Sequence, residues 1–194
     1  MNNTFINKKI KNEIKLIKAK LSIIEKYENI NFKNFCHDSI QAIEEGKKII
    51  FFGNGGSAAD AQHLATELTV RYKFNRKALP AVSLSTDTSA ITAIGNDLNF
   101  NKIFSRQIEA IGNKGDIILA ITTSGKSQNI LEAIKVAKKK NIKLYCFVGN
   151  NGGKVKKICK NLIIFPKTST SVTQVMQIAI GQIYCEILEN YFFN

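Results

Sequence analysis

The sequence predicts an α/β fold: a three-layer αβα sandwich around a five-stranded parallel sheet, preceded by N-terminal helices. Two observations carry this. From residue 47 onward, short apolar runs without alternation recur, as strands buried on both faces require, and helical periodicity fills the gaps between them. Two of those runs also end in glycine- and hydroxyl-rich turns that lead straight into a helix, the join expected in a parallel sheet.

The elements follow in order. In the first helix Ile6, Ile10, Ile14, Ile17, Leu21 and Ile24 repeat at spacings of four and three. That stripe predicts packing on the chain's own domain or against a neighbouring subunit. A second helix, 32–45, stops at Gly46, a residue suited to the left-handed position after a helix. Residues 1–46 thus form a helical segment and residues 47–194 the sheet domain. Strands are expected at 49–52, 81–84, 116–121, 144–148 and 162–165. Helices are expected at 57–72, 88–94, 104–111, 128–140 and 154–160, with a last one at 171–191 closing the domain.

Composition excludes several classes. A chain of 194 residues is expected to form one domain with a real core. The net charge of +13 is almost all lysine, with three arginines (Arg71, Arg76, Arg106). The densest basic stretches, 135–143 and 154–160, lie near predicted helix C-termini, where lysine complements the helix dipole, and neither interleaves aromatics. This argues against direct binding of nucleic acid. No apolar run approaches the ~20 residues of a membrane span, and the N-terminus lacks a signal-peptide core. A cytoplasmic protein without a membrane partner is expected. Cys36, Cys146, Cys159 and Cys185 show no CxxC or zinc-finger spacing and read as reduced, buried thiols.

Ligands of such a sheet bind beyond the carboxyl ends of its strands. Four predicted strand ends carry polar or glycine-rich loops: 53–57, 85–89, 122–127 and 149–153. The first (Gly53-Asn54-Gly55-Gly56-Ser57) and the third (Thr122-Thr123-Ser124-Gly125-Lys126-Ser127) have the chemistry of a phosphate site. Glycine lets the backbone come close, and free N–H groups at a helix start attract an anion. The first also fits a loose GxGxxA dinucleotide pattern, but the next strand ends Ser85-Thr86, with Asp87 just beyond, where a ribose-holding acid belongs. The third narrowly misses a Walker A loop, since Ala120 replaces the first glycine and no magnesium-holding acid is evident. Four hydroxyls within six residues exceed the needs of turn and cap, so a phosphorylated small molecule is the favoured ligand.

Gln62, His63 and Glu67 lie on the helix that starts at Ser57. His63 and Glu67 are spaced i, i+4 and share a face. Such a pair serves to bind a divalent metal or to position a carboxylate base. His37, the only other histidine, reads as structural.

Taken together, Gly53 through His63, then Glu67, Ile94-Gly95-Asn96-Asp97, Phe104-Ser105-Arg106-Gln107 and Thr122 through Ser127 resemble the phosphoheptose isomerases, which are sugar isomerase (SIS) domain proteins. The resemblance covers the chain from about Lys47 to its end. It implies a homotetramer and the interconversion of sedoheptulose 7-phosphate with D-glycero-D-manno-heptose 7-phosphate, a step toward bacterial surface heptose. It implies substrate contacts at Asn54, Gly55, Gly56, Ser57, Glu67, Asn96, Asp97, Thr122, Thr123, Ser124, Ser127 and Gln174. It also implies a catalytic pair at positions 67 and 182, and zinc held at His63, Glu67, Gln174 and Gln182.

The last helix departs from that pattern. Gln182 stands where the family carries a histidine that is zinc ligand and proton donor, and Val172 and Val175 replace an arginine and a glutamate. Glutamine does not titrate near neutral pH, and its amide oxygen suits zinc less than imidazole does. The zinc site is thereby weakened. Three readings stay open: a heptose-phosphate isomerase with another acid, an isomerase of a different sugar phosphate, and a non-catalytic SIS protein that binds a sugar phosphate or a replication-initiation partner.

Overall fold

Five short apolar runs build the centre of the molecule. In the computed structural model, which describes residues 3–26 and 29–194, they form β1 (Ile49–Gly53), β2 (Ala81–Ser83), β3 (Ile117–Thr122), β4 (Lys143–Val148) and β5 (Leu162–Ile164). All pairings are parallel, in the order β2-β1-β3-β4-β5. Alternate residues of each central strand feed opposite faces, so both faces are buried. Ile49, Phe51, Leu119 and Phe147 enter one core, and Ile50, Phe52, Ile118 and Cys146 the other.

Helices cover both faces. The first core is closed by α2 (Ile30–Glu44), α3 (Gly56–Thr69) and α7 (Thr170–Phe193), which contribute Phe35, Leu64, Met176 and Tyr184. Phe35 stacks on Tyr184 with ring centroids 4.2 Å apart. The second core is closed by α5 (Ser105–Ile111) and α6 (Gln128–Lys139), through Ile108, Ile130 and Ile134. A short α4 (Thr88–Ala93) lies between β2 and α5. The three-layer sandwich is thus the predicted one. Among the described residues no helix is long and apolar enough to cross a membrane.

The N-terminal helix α1 (Asn3–Lys26) divides the predicted stripe in two. Ile17, Leu21 and Ile24 pack on the first core, whereas Ile6, Ile10 and Ile14 are exposed. Residues 1, 2, 27 and 28 of the predicted segment lie outside the described residues. Two predicted helices are corrected. The expected helix 154–160 is a single 3-10 turn, Val155–Lys157, because Gly152 and Gly153 before it both take positive φ and the Val155 N–H is drawn to the Gly125 carbonyl. The expected helix 88–94 ends at Ala93 and continues as a π turn, Ile94–Leu98. Other boundaries differ by up to three residues. The four thiols are buried and free, and burial raises each, Cys36 to about 12, so none is a ready nucleophile.

Candidate active site

The strand order reverses direction between β1 and β3, the point where a doubly wound sheet opens a crevice. Both phosphate-type loops leave the sheet there. The Asn54 and Asn129 side-chain amides exchange two hydrogen bonds of 2.9 and 2.8 Å, tying the first loop to the start of α6. The N-termini of α3 and α6 are therefore neighbours. Neither Gly55 nor Ser127, their cap residues, supplies a side-chain capping bond, so N–H groups remain for an anion. Asn129 was not singled out in the sequence; a buried asparagine one residue inside a predicted helix was the available signal.

The third loop is shaped from within. The Thr122 hydroxyl accepts the Gly125 N–H (3.2 Å), and that of Ser124 accepts the Lys126 N–H (3.2 Å). Thr123 and Ser127 are half-buried beside them. Gly125 has φ +62°, and a Cβ there would lie 2.3 Å from the Gly152 carbonyl oxygen, so only glycine fits. Asn96 and Asp97 fall on the exposed π turn and bond each other at 2.8 Å. The described contacts do not join them to the two loops.

Helices α3 and α7 pack side by side and run in the same direction. Gln174 lies over Gly56, where an added Cβ would sit 2.3 Å from its Nε2. Eight residues on, Gln182 meets His63 and Glu67. Between them the Gln177 amide donates to the Thr122 carbonyl (3.3 Å), and Gly181 rests on Leu64, 2.7 Å from where its Cβ would be. Ser57, on the sheet-facing side of α3, is buried.

Farther along the two helices three predicted residues come together. His63 Nε2 is 2.9 Å from Glu67 Oε1 and 2.7 Å from Gln182 Nε2, which is also 3.3 Å from Glu67 Oε1. One imidazole proton and one amide thus serve three heavy atoms, and the histidine tautomer decides which bonds form. The backbone of Glu67 is also tethered. Arg76 donates to the carbonyls of Glu67 and Leu68, both at 2.7 Å, and its Nε donates to Glu189 (2.9 Å). Glu189 further accepts the N–H groups of Tyr72, Lys73 and Phe74. Burial alone would raise this carboxyl, but those N–H groups and the guanidinium bring it below its ordinary value.

The donor set does not fit the tetrahedral zinc that the resemblance implies. It offers one imidazole, one carboxylate and amides, and Gln174 sits over Gly56 with no hydrogen bond to the other three. Among the described residues, no three His, Cys, Asp or Glu side chains are grouped to hold a metal. Zinc prefers several imidazole, thiolate or carboxylate donors. Asp60, which the sequence does not single out, lies on the same face of α3 as His63 and Glu67. Burial raises its carboxyl to about 6, against an opposing effect from His63.

The chain is similar to known proteins along most of its length. A family model described as "SIS domain" matches residues 14–149, beginning inside the N-terminal helix. A phosphoheptose isomerase of Nitratiruptor sp. is 48% identical over 79% of this chain and 82% of its own. That of Paramagnetospirillum magneticum is 51% identical over 79% of both. The phosphoheptose isomerase GmhA of Neisseria gonorrhoeae superposes with a TM-score of 0.89 at 34% identity, covering 95% of this chain and 99% of that one. The Francisella tularensis phosphoheptose isomerase gives 0.91 at 28% identity, over 98% and 100%.

Proposed function

The chain belongs to the SIS-domain phosphoheptose isomerases, and from that membership we propose that it interconverts sedoheptulose 7-phosphate and D-glycero-D-manno-heptose 7-phosphate. This aldose–ketose step leads to the heptose of bacterial surface glycans. The observation that carries the reading is the pair α3 and α7, with the glycine- and hydroxyl-rich loops at its start and the Glu67 carboxylate farther along. Glu67 lies eleven residues beyond Gly56, about 16 Å along the helix axis. Its side chain leans back toward the N-terminus, leaving on the order of 10 Å between phosphate end and base. An extended seven-carbon phosphate is also on the order of 10 Å long, at ~1.5 Å per bond before the zigzag is allowed for.

The chemistry follows from the residue types. The phosphate binds across the Gly55–Gly56 turn and the Thr122, Thr123, Ser124 and Ser127 loop, with Asn96 and Asp97 reaching the sugar. Glu67 takes the proton between C1 and C2 and returns it through an enediol. The Gln182 amide donates to the oxygen on which charge develops. His63, 2.7 Å from Gln182, is the titratable group placed to move the proton at that oxygen. No step is assigned to zinc.

We further propose a homotetramer in the cytoplasm. Exposed Ile6, Ile10 and Ile14 on α1, with Val175, Ile183 and Ile187 on α7, are apolar surface of the kind a subunit contact covers. Light scattering after size exclusion tests the assembly. For the activity, an NMR time course with sedoheptulose 7-phosphate is compared for wild type and Glu67→Gln. Turnover by wild type and a loss of about 10²–10⁴-fold in the variant are expected. Equal rates would remove Glu67 as the base; silence from wild type would favour the non-catalytic reading.

A further inference from the structure

Gly56, Asp60, His63 and Glu67 fall at i, i+4, i+7 and i+11 of α3, one continuous stripe. Its two ends are fixed against α7, Gly56 under Gln174 and His63 with Glu67 against Gln182. Asp60 therefore lies between them on the stripe that faces α7. It lies about 6 Å along the axis from the anion end, well short of the base.

This carboxyl is unusual in its surroundings. Its Oδ2 is buried and has no hydrogen-bond partner among the described residues, while the residue as a whole is only half-buried and so open on one side. Between Gln174 and Gln182, α7 carries no charged side chain to answer it. On its own helix the nearest titratable group is His63, whose recorded bonds go to Glu67 and Gln182. Native structures rarely leave a buried acceptor unmatched without a ligand or a chemical reason. A carboxylate is an acceptor only, so the missing partner must be a donor. A polyhydroxylated chain that runs from Gly56 to Glu67 has its middle at this level of α3.

We propose, resting on that sugar-phosphate reading, that Asp60 is a substrate-binding residue whose carboxylate accepts hydroxyl groups from the middle of the sugar chain. It selects a polyol over a bare phosphate or a short-chain phosphate. Its position two turns from Glu67 makes it a reader of the chain rather than a partner in proton transfer at C1 and C2.

The test is calorimetric binding of sedoheptulose 7-phosphate and of inorganic phosphate to wild type and to Asp60→Asn, with turnover followed alongside. Asp60→Asn is expected to weaken sugar-phosphate binding by about 10–100-fold, the range for a hydrogen bond to a charged group, while inorganic phosphate affinity is unchanged or rises. The loss is expected in KM more than in kcat. With 4-deoxy and 5-deoxy analogues, the wild-type advantage should vanish for the analogue lacking the matched hydroxyl. Equal sugar-phosphate affinity in both proteins would overturn the assignment, as would an equal penalty on every analogue. A structural role would instead lower the melting temperature of Asp60→Asn, which this proposal does not expect. Wild type that binds the sugar phosphate without turning it over would refute the isomerase reading and leave the Asp60 comparison standing.

Discussion

Arg76→Met probes how the fold holds Glu67, the proposed base. Methionine keeps an apolar stem near the Phe193 ring, over which the guanidinium lies at 5.4 Å. The guanidinium goes, and it is deeply placed: the Arg76 and Glu189 side chains are 2% and 1% exposed. Lost with it are the bond to Glu189 and those to the carbonyls of Glu67, Leu68 and Lys77. Glu189 keeps three backbone donors but becomes a buried carboxylate without a cation. Breaking a buried pair from one side costs about 3–5 kcal/mol. At roughly 2–4 °C per kcal/mol for a chain of this size, the melting temperature falls by about 6–20 °C. The Leu68 carbonyl still receives the Leu79 N–H, whereas that of Glu67 is left without Arg76, so the last turn of α3 loosens where the base is mounted. Turnover measured well below the melt should fall too, in kcat. Scanning calorimetry gives the first quantity and the NMR time course the second. A melt within about 2 °C of wild type would refute the argument, because so small a shift corresponds to at most about 1 kcal/mol.

Other outcomes are expected from the same geometry. Gln182→His supplies a second imidazole, so elemental analysis should find zinc in that variant after purification with zinc and little in wild type. One zinc per wild-type chain would overturn the donor-set argument. Gly125→Ala must place a Cβ against the Gly152 carbonyl at positive φ, so the third loop must shift and the melting temperature falls; measured well below the melt, sugar-phosphate affinity should drop at least about tenfold, the equivalent of about 1.4 kcal/mol, and unchanged affinity would show that the third loop is not the grip. Stability should also report Asp60. Its carboxyl sits near 6, above its ordinary 3.8, so between those values the folded state holds more protons than the unfolded one and stability falls as pH rises. Asp60→Asn should therefore melt higher than wild type at about pH 7.5, with the gain fading toward about pH 4; a gain of equal size at both ends would contradict the shift.

The sheet was readable because its strands are uninterrupted apolar runs such as Ile49-Ile50-Phe51-Phe52, and burial on both faces leaves no other use for them. Both anion loops were readable because glycine and hydroxyl groups punctuate strand–helix joins. The segment 154–160 misled because its lysines and valine suit a helix, while two glycines at positive φ and a bond to the third loop decide otherwise. Long-range partners were the hidden part. Gln182 meets His63 across 119 residues, and Arg76 meets Glu189 across 113. The departure at position 182 was visible in the sequence, but the amide's place beside His63 and Glu67 was not. Asp60 was hidden differently: its type and helical position were in view, and only the absence of a partner in the folded chain marks it.

Gly181 has a meaning beyond packing. Helices α3 and α7 approach closely because one residue in the middle of a long helix has no side chain, letting α7 rest on Leu64. A side chain there meets the buried Leu64, so Leu64 or α7 must shift at the level of His63 and Gln182. Position 181 therefore sets the clearance between α3 and α7 where His63, Glu67 and Gln182 meet.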